Sequence, residues 1–163
     1  MAQQVVILCA ERARRAPLVA LCTEYVDRME RYNICARLEE CTGRSVGGQQ
    51  AAAVRQQSEC LLRRLRDDDY VLLLDERGRQ YRSTEFAQML GELLAGRQRR
   101  IVFVIGGAYG VGEQLRQRAN VHLSLGPMTL PHEIARLVLC EQLYRALTIL
   151  RGEPYHHGGT IGG

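Results

Sequence analysis

Ile101-Val102-Phe103-Val104-Ile105-Gly106-Gly107-Ala108-Tyr109-Gly110 is the stretch on which the reading of this chain turns. Its first five residues are apolar without alternation, and all are β-branched or aromatic. That pattern predicts a strand buried on both faces, as in a parallel sheet covered by helices. The glycines that end it allow close backbone approach, and a turn at the carboxyl end of such a strand is where α/β proteins place ligands.

Downstream, residues 121–125 predict a short strand leading into Leu125-Gly126-Pro127-Met128-Thr129-Leu130-Pro131-His132, a long helix over 131–150 and the ending Pro154-Tyr155-His156-His157. Upstream, residues 5–9 predict a first buried strand. After Pro17, apolar residues at Leu18, Leu21, Cys22, Tyr25, Val26 and Met29 recur at helical spacing. A strand over 34–41 follows, then a glycine and serine turn at 42–48, expected to be a mobile loop, and a helix over 49–66 with a weak apolar face. Residues 70–74 predict a short strand closed by a turn at 75–78. Ser83 or Thr84 then caps a helix whose Phe86, Met89, Leu90, Leu93 and Leu94 share one face. With a short helix near 112–119, the order is βαβαβαβαβα. The expected fold class is therefore α/β, a mostly parallel sheet with helices on both faces. Asp67-Asp68-Asp69 marks a junction and is expected to be a solvated turn, because three consecutive side chains cannot face one metal.

Length bounds the rest. The 163 residues fit one domain, expected over 1–157, with a flexible glycine-rich tail at 158–163. No run is long enough to span a bilayer, and the apolar stretch 5–9 is too short and too soon followed by Glu11, Arg12, Arg14 and Arg15 to be a secretory signal; a cytoplasmic protein is expected. Six cysteines lie scattered without C-x-x-C spacing and are expected to be free, mostly buried thiols. The net charge is +4, and all 22 basic residues are arginine. Arginine forks suit phosphate and bases, so an RNA partner is allowed, although compositional bias accounts for the usage equally well.

The motifs exclude more than they select. Gly106, Gly107, Gly110 and Gly112 do not fit G-x-G-x-x-G and follow the fourth strand, which argues against a nicotinamide cofactor. Without lysine there is no P-loop. His122, His132, His156 and His157 are not paired at helical metal-ligand spacing, so no metal site is expected. The last helix carries one stripe of Ile134, Leu137, Val138 and Tyr144 and another of Ala135, Leu139, Leu143, Ala146 and Leu150. A helix apolar on two sides needs burial on two sides, and a second copy of the chain is the expected cover for one. Three predicted strand ends, at Leu74, at Gly106 and at 125–130, converge as an expected ligand site with Leu74, Met128 and Leu130 as apolar wall.

Leu74-Asp75-Glu76-Arg77-Gly78, Ile105-Gly106-Gly107-Ala108-Tyr109-Gly110, Met128-Thr129-Leu130-Pro131-His132, Leu143-Tyr144-Arg145-Ala146 and Pro154-Tyr155-His156-His157 together resemble the RlmH family over nearly the whole chain. The resemblance implies a homodimeric SPOUT-class methyltransferase with a C-terminal trefoil knot. Its substrate would be N3 of a pseudouridine in large-subunit ribosomal RNA within the ribosome, and its methyl donor S-adenosyl-L-methionine. By the same resemblance Leu74, Gly106, Leu125, Gly126, Pro127, Met128, Thr129 and Leu130 are cofactor-binding, and Arg145, Tyr155 and His156 are catalytic. Arg12, His132 and His157 are assigned to the substrate, with His132 also close to the cofactor. Where the family carries a Val-Gly-Lys-like turn this chain has Leu8-Cys9-Ala10-Glu11-Arg12, and Arg12 takes the lysine's place. His156 is expected to assist loss of the N3 proton and Arg145 to stabilise the resulting charge. A non-catalytic RNA-binding relative that keeps the fold is the alternative.

Overall fold

The computed structural model describes residues 3–41 and 49–157 and contains one sheet of five parallel strands in the order β2-β1-β4-β3-β5. The strands are β1 (Gln3–Cys9), β2 (Ile34–Glu40), β3 (Tyr70–Gln80), β4 (Arg100–Ile105) and β5 (Val121–Ser124). Between and after them run α1 (Ala16–Arg28), α2 (Gln50–Arg64), α3 (Ser83–Ala95), α4 (Glu113–Arg118) and α5 (His132–Leu150). The turn at 42–48 and the tail at 158–163 lie outside the described residues.

The period-two alternation of each strand sorts its side chains into two cores. Val5, Ile7, Leu72, Ile101 and Phe103 meet α1, α3 and α5 through Cys22, Phe86, Leu90, Leu139 and Leu143. Val6, Leu8, Val71, Leu73, Val102 and Val104 meet α2 and α4 through Leu61 and Leu115. All six residues of β4 are buried: Ile101–Ile105 as an uninterrupted apolar run at the centre of a parallel sheet requires, and Arg100 by its pairing with Asp69. The six cysteines are free thiols, and burial pushes Cys9 up to about 12, so it is inert as a nucleophile.

Several details differ from the sequence reading. α3 starts at Ser83 itself, so Arg82, not Ser83 or Thr84, holds the cap position, and the Ser83 hydroxyl donates to Gln142 instead. The helical spacing that reaches Met29 gives way after Arg28 to a 3-10 turn, Met29–Tyr32, closed by Asn33 in the left-handed region at φ 60°. β3 does not stop at Leu74. It leaves register at 75–78 and rejoins β5, so that Leu74 and Arg79 both lie opposite Leu123. Gly78 makes this return feasible, because a Cβ there would lie 2.6 Å from the backbone C and O of His122. Finally, only Asp67 and Asp68 of the acidic triplet are exposed. Asp69 is 5% exposed and accepts from Arg100 Nη1 at 2.9 Å and from the Arg66 N–H at 2.8 Å.

On α5, Ala135, Leu139, Leu143 and Ala146 are buried within the chain, whereas Ile134, Leu137 and Val138 are only half covered. Tyr144, grouped by spacing with Ile134, Leu137 and Val138, is instead buried among Tyr25, Tyr32 and Tyr155, and Leu150, grouped with the residues buried within the chain, is 43% exposed.

Candidate active site

Because β3 lies between β4 and β5, the strand order brings Leu74, Gly106 and the run 125–130 to one carboxyl edge. The turn after β5 is held from below. The Gly126 N–H donates to Ser124 Oγ at 3.1 Å, the Ser124 hydroxyl lies 3.1 Å from the Glu76 carbonyl, and the Thr129 hydroxyl donates to Glu76 Oε2 at 2.8 Å. Gly126 has φ 143°, a backbone conformation that disfavours any side chain, and open space in front of its α-carbon. Pro127, Met128 and Thr129 are exposed, Met128 to 79%, and the N–H groups of Met128 and Leu130 donate to nothing among the described residues. Free backbone amides, an open glycine and apolar Leu74, Leu125, Met128 and Leu130 suit a ligand with a flat heteroaromatic edge and an apolar face. The bulge beneath is anchored by Asp75, which accepts from the Arg77 N–H at 3.0 Å and from the Arg116 guanidinium. Burial raises the Asp75 pKa, but these hydrogen bonds and the two arginine charges outweigh it and hold the carboxyl below its usual range.

The loop after β1 is tied to the start of α5. His132 Nε2 lies 3.0 Å from Glu11 Oε2, and the Arg14 and Arg15 N–H groups both donate to Glu133 Oε1 at 3.0 Å. Arg136 spans the junction, donating through Nη2 to the Glu11 carbonyl and through Nη1 to Glu40 Oε2, each at 2.8 Å. The Ala13 N–H also donates to Glu40. Burial pushes Glu40 up, yet the hydrogen bonds from Arg136 and Ala13, with the charges of Arg136 and Arg12, lower its pKa on balance. His132 Nδ1 is buried without a partner among the described residues, an orphaned polar atom at the edge of the glycine-bearing turns. Arg12 is exposed and enters no ion pair among the described residues. Among those residues no three His, Cys, Asp or Glu side chains converge as metal ligands.

The third group lies at the far end of α5. Glu141 Oε1 accepts from Arg145 Nε at 3.0 Å, from Arg145 Nη2 at 2.7 Å and from the Tyr155 hydroxyl at 3.1 Å. The Arg145 guanidinium lies 4.8 Å from the Tyr155 ring centroid, and its Nη1 is 3.0 Å from His156 Nδ1. Guanidinium is a donor only, so Nδ1 is the acceptor, and a neutral His156 carries its proton on Nε2. Burial, Tyr25 and the negative charge of Glu141 push the Tyr155 phenol well above its usual range, so it stays a neutral donor. His157 is exposed beside it.

The structure therefore joins Arg145, Tyr155 and His156 into one cluster and Leu74, Gly106 and 125–130 into another, with His132 and Arg12 beside the second. It does not join the clusters to each other: between His132 and Arg145 the helix rises about 20 Å. Glu141, Glu11, Arg136 and Ser124 were missed from the sequence. Glu141 left one signal, its i,i+4 spacing to Arg145. The others act through contacts distant in the chain.

The family described as "Predicted SPOUT methyltransferase" matches residues 3–156. Proteins named ribosomal RNA large subunit methyltransferase H are similar over most of their length. That of Gemmatimonas aurantiaca is 44% identical, over 94% of this chain and 99% of its own. That of Christiangramia forsetii is 35% identical, over 93% and 97%. A plant relative, a putative RNA methyltransferase of Arabidopsis thaliana, is 48% identical over 65% of this chain and 55% of its own. Among solved structures, a probable methylase family protein from Haemophilus influenzae Rd KW20 superposes with a TM-score of 0.54 at 15% identity, covering 99% of this chain and 74% of that one. Read with the five-stranded parallel sheet and the strand-end site, these matches place the chain in the SPOUT methyltransferase family.

Proposed function

We propose that this methyltransferase works as a homodimer that transfers a methyl group from S-adenosyl-L-methionine to N3 of a pseudouridine in large-subunit ribosomal RNA. The observation that carries this reading is a separation: the strand-end turns beside His132 and the Arg145–Tyr155–His156 cluster lie at opposite ends of α5, about 20 Å apart. Two copies of α5 passing head to tail bring the Arg145 end of one to the His132 end of the other. The midpoint of that overlap falls at Val138 and Leu139. Leu139 is fully buried in its own chain, which leaves half-covered Val138, with Leu137 and Ile134, for the axis. The strand order, with α5 returning from the β5 edge to lie on α1 and α3, supports the C-terminal trefoil knot of this fold class.

The cofactor supplies a methyl group on a sulfonium, transferred in line. The protein's own residues align the base and favour its N3 anion. Arg145 is held by Glu141 and stacked on Tyr155, so its charge faces the base without reorganising. His156, fixed as the Nε2–H tautomer, donates to a base carbonyl and spreads the anion's charge, while the N3 proton leaves to solvent. His156 is thus a hydrogen-bond donor in this mechanism, not the base expected from sequence. Arg12 and His157 lie on the RNA side, and the pocket residues Leu74, Gly106 and 125–130, with the orphaned His132 Nδ1, hold the cofactor.

No helix among the described residues is long and apolar enough to cross a membrane. The proposed place of action is the cytoplasm, where ribosomes are. Titration calorimetry with S-adenosyl-L-methionine, followed by methylation of ribosomes from a strain lacking the modification, tests the reading. The expected result is binding and one methyl group at N3. Absence of cofactor binding would favour the non-catalytic relative instead.

A further inference from the structure

A second recess lies between α1 and the edge strand β2, distinct from the strand-end turns and from the Arg145 cluster, and meets the turn after β1 at Arg12 and Arg136. It is a cleft of about 690 Å³ whose walls include Val19 and Val26 of α1, Leu38 and Arg37 of β2, and Arg12 and Arg136 at its upper end. Its size is that of a small-ligand site. Val19, Thr23 and Val26 fall on one side of α1 by helical spacing, and Leu21 points to nearly the opposite flank, so the cleft is distinct from the α1 surface beside the outer stripe of α5.

Its charges are unevenly used. Glu40 is neutralised by Arg136 at 2.8 Å and Glu39 lies 3.8 Å from Arg64. Arg12 and Arg37, both exposed lining residues, enter no ion pair among the described residues; Arg37 alternates with Leu38 along β2, so it stands at the sheet edge rather than on the apolar wall. Arg136, 3% exposed on the inner wall, has a buried Nε–H with no partner among those residues. Leaving such a donor unpaired is costly, and an acceptor in the cleft would satisfy it. The edge adds backbone groups, because among the described residues β2 pairs only with β1 and its outer N–H and C=O groups have no neighbouring strand.

From this we infer that the α1/β2 cleft is a nucleotide subsite: a base lies against Val19, Val26 and Leu38, an acceptor on it meets Arg136 Nε–H, and its phosphate meets Arg12 and Arg37. The inference rests on the RNA reading above and adds a residue of the RNA other than the one methylated. The arginine pair supplies phosphate contacts and the apolar wall with its buried donor supplies base selection, the usual division of labour in RNA recognition.

The test is a titration of the full-length protein with uridine monophosphate, followed by methyl NMR, with S-adenosylhomocysteine added first to occupy the methyl-donor pocket. Shifts are expected at Val19, Val26 and Leu38, weakened about tenfold in Arg37→Ala and abolished in Thr23→Trp, whose exposed position lets the indole cover the cleft without entering the core. In ribosome methylation the same two variants should raise KM several-fold with kcat and cofactor affinity unchanged. Silent methyls in the wild-type protein, or shifts identical in both variants, would overturn the subsite. Failure of methyl transfer in the wild-type protein would instead remove the proposed reaction and leave the nucleotide titration to be judged by itself.

Discussion

At the scale of single residues the site is a problem in holding a cation still. Arg145 faces solvent on one side, and a lone exposed guanidinium would lose much of its transition-state value to side-chain freedom. Glu141 removes that freedom with two hydrogen bonds to Arg145 and one from Tyr155, all to a single oxygen. Glu141→Gln keeps the shape but loses the charge-assisted bonds. Methyl transfer should then fall about a hundredfold while calorimetric affinity for the methyl donor stays unchanged, since the proposed donor pocket lies at the other end of α5. The same geometry fixes the His156 tautomer, and the imidazole nitrogen shifts in NMR should report Nε2–H; an Nδ1–H signature would contradict the Arg145 contact. The buried phenols give a pH prediction. Tyr32, pushed up to about 12 by burial and by Glu153, donates to that carboxylate at 2.7 Å. A phenol whose folded pKa is raised contributes stability that is intact below the unfolded value near 10 and is lost as pH rises through the folded value. Alkaline melting curves should therefore steepen between about pH 10 and 12, and Tyr32→Phe should flatten that slope.

At the scale of elements, much of the fold was legible because parallel strands announce themselves. The uninterrupted run of β4 and the helical spacing of α3 place sheet and cover without tertiary information. The return of β3 was not legible. Residues 75–78 read as a turn because Asp75 and Gly78 are turn formers, and only pairing with β5 draws Arg79 and Gln80 back into strand. Gly78→Ala should thus cost about 2 kcal/mol or more in thermal unfolding, since the opposing atoms are backbone and cannot step aside. Asp69 was misread for a related reason: its partner Arg100 lies on another strand. The junction after β1 is the other hidden element. Arg136 is an unremarkable arginine in sequence, yet it is buried against Glu40 and the Glu11 carbonyl. Arg136→Ala leaves a partly buried carboxylate unpaired and should lower stability by about 3 kcal/mol in denaturant titration. The donor pocket was more legible than the base-facing cluster, because strand ends and glycines locate a pocket, whereas the clustering of Glu141 with Tyr155 depends on a chain reversal after α5.

At the scale of the whole molecule, the proposed site of this ribosomal RNA methyltransferase is divided between the two ends of one helix. In the proposed homodimer that division accounts for the two apolar sides of α5: the inner residues serve the sheet, and half-covered Ile134, Leu137 and Val138 are left for the partner. Val138→Arg, which places like charges together on the proposed two-fold axis, should give a monomer in sedimentation that still binds the methyl donor but does not methylate ribosomes. The arrangement is tested most directly by heterodimers. One chain would carry Arg145→Ala with His156→Ala, the other Gly126→Trp, whose indole occupies the open space before the donor turn. Each homodimer should be inactive. The purified heterodimer should recover about half of wild-type ribosome methylation, because one of its two composite sites takes an intact pocket from one chain and an intact cluster from the other. A heterodimer as inactive as either parent, with fold and dimer intact, would place both halves of the site in the same chain and contradict the account.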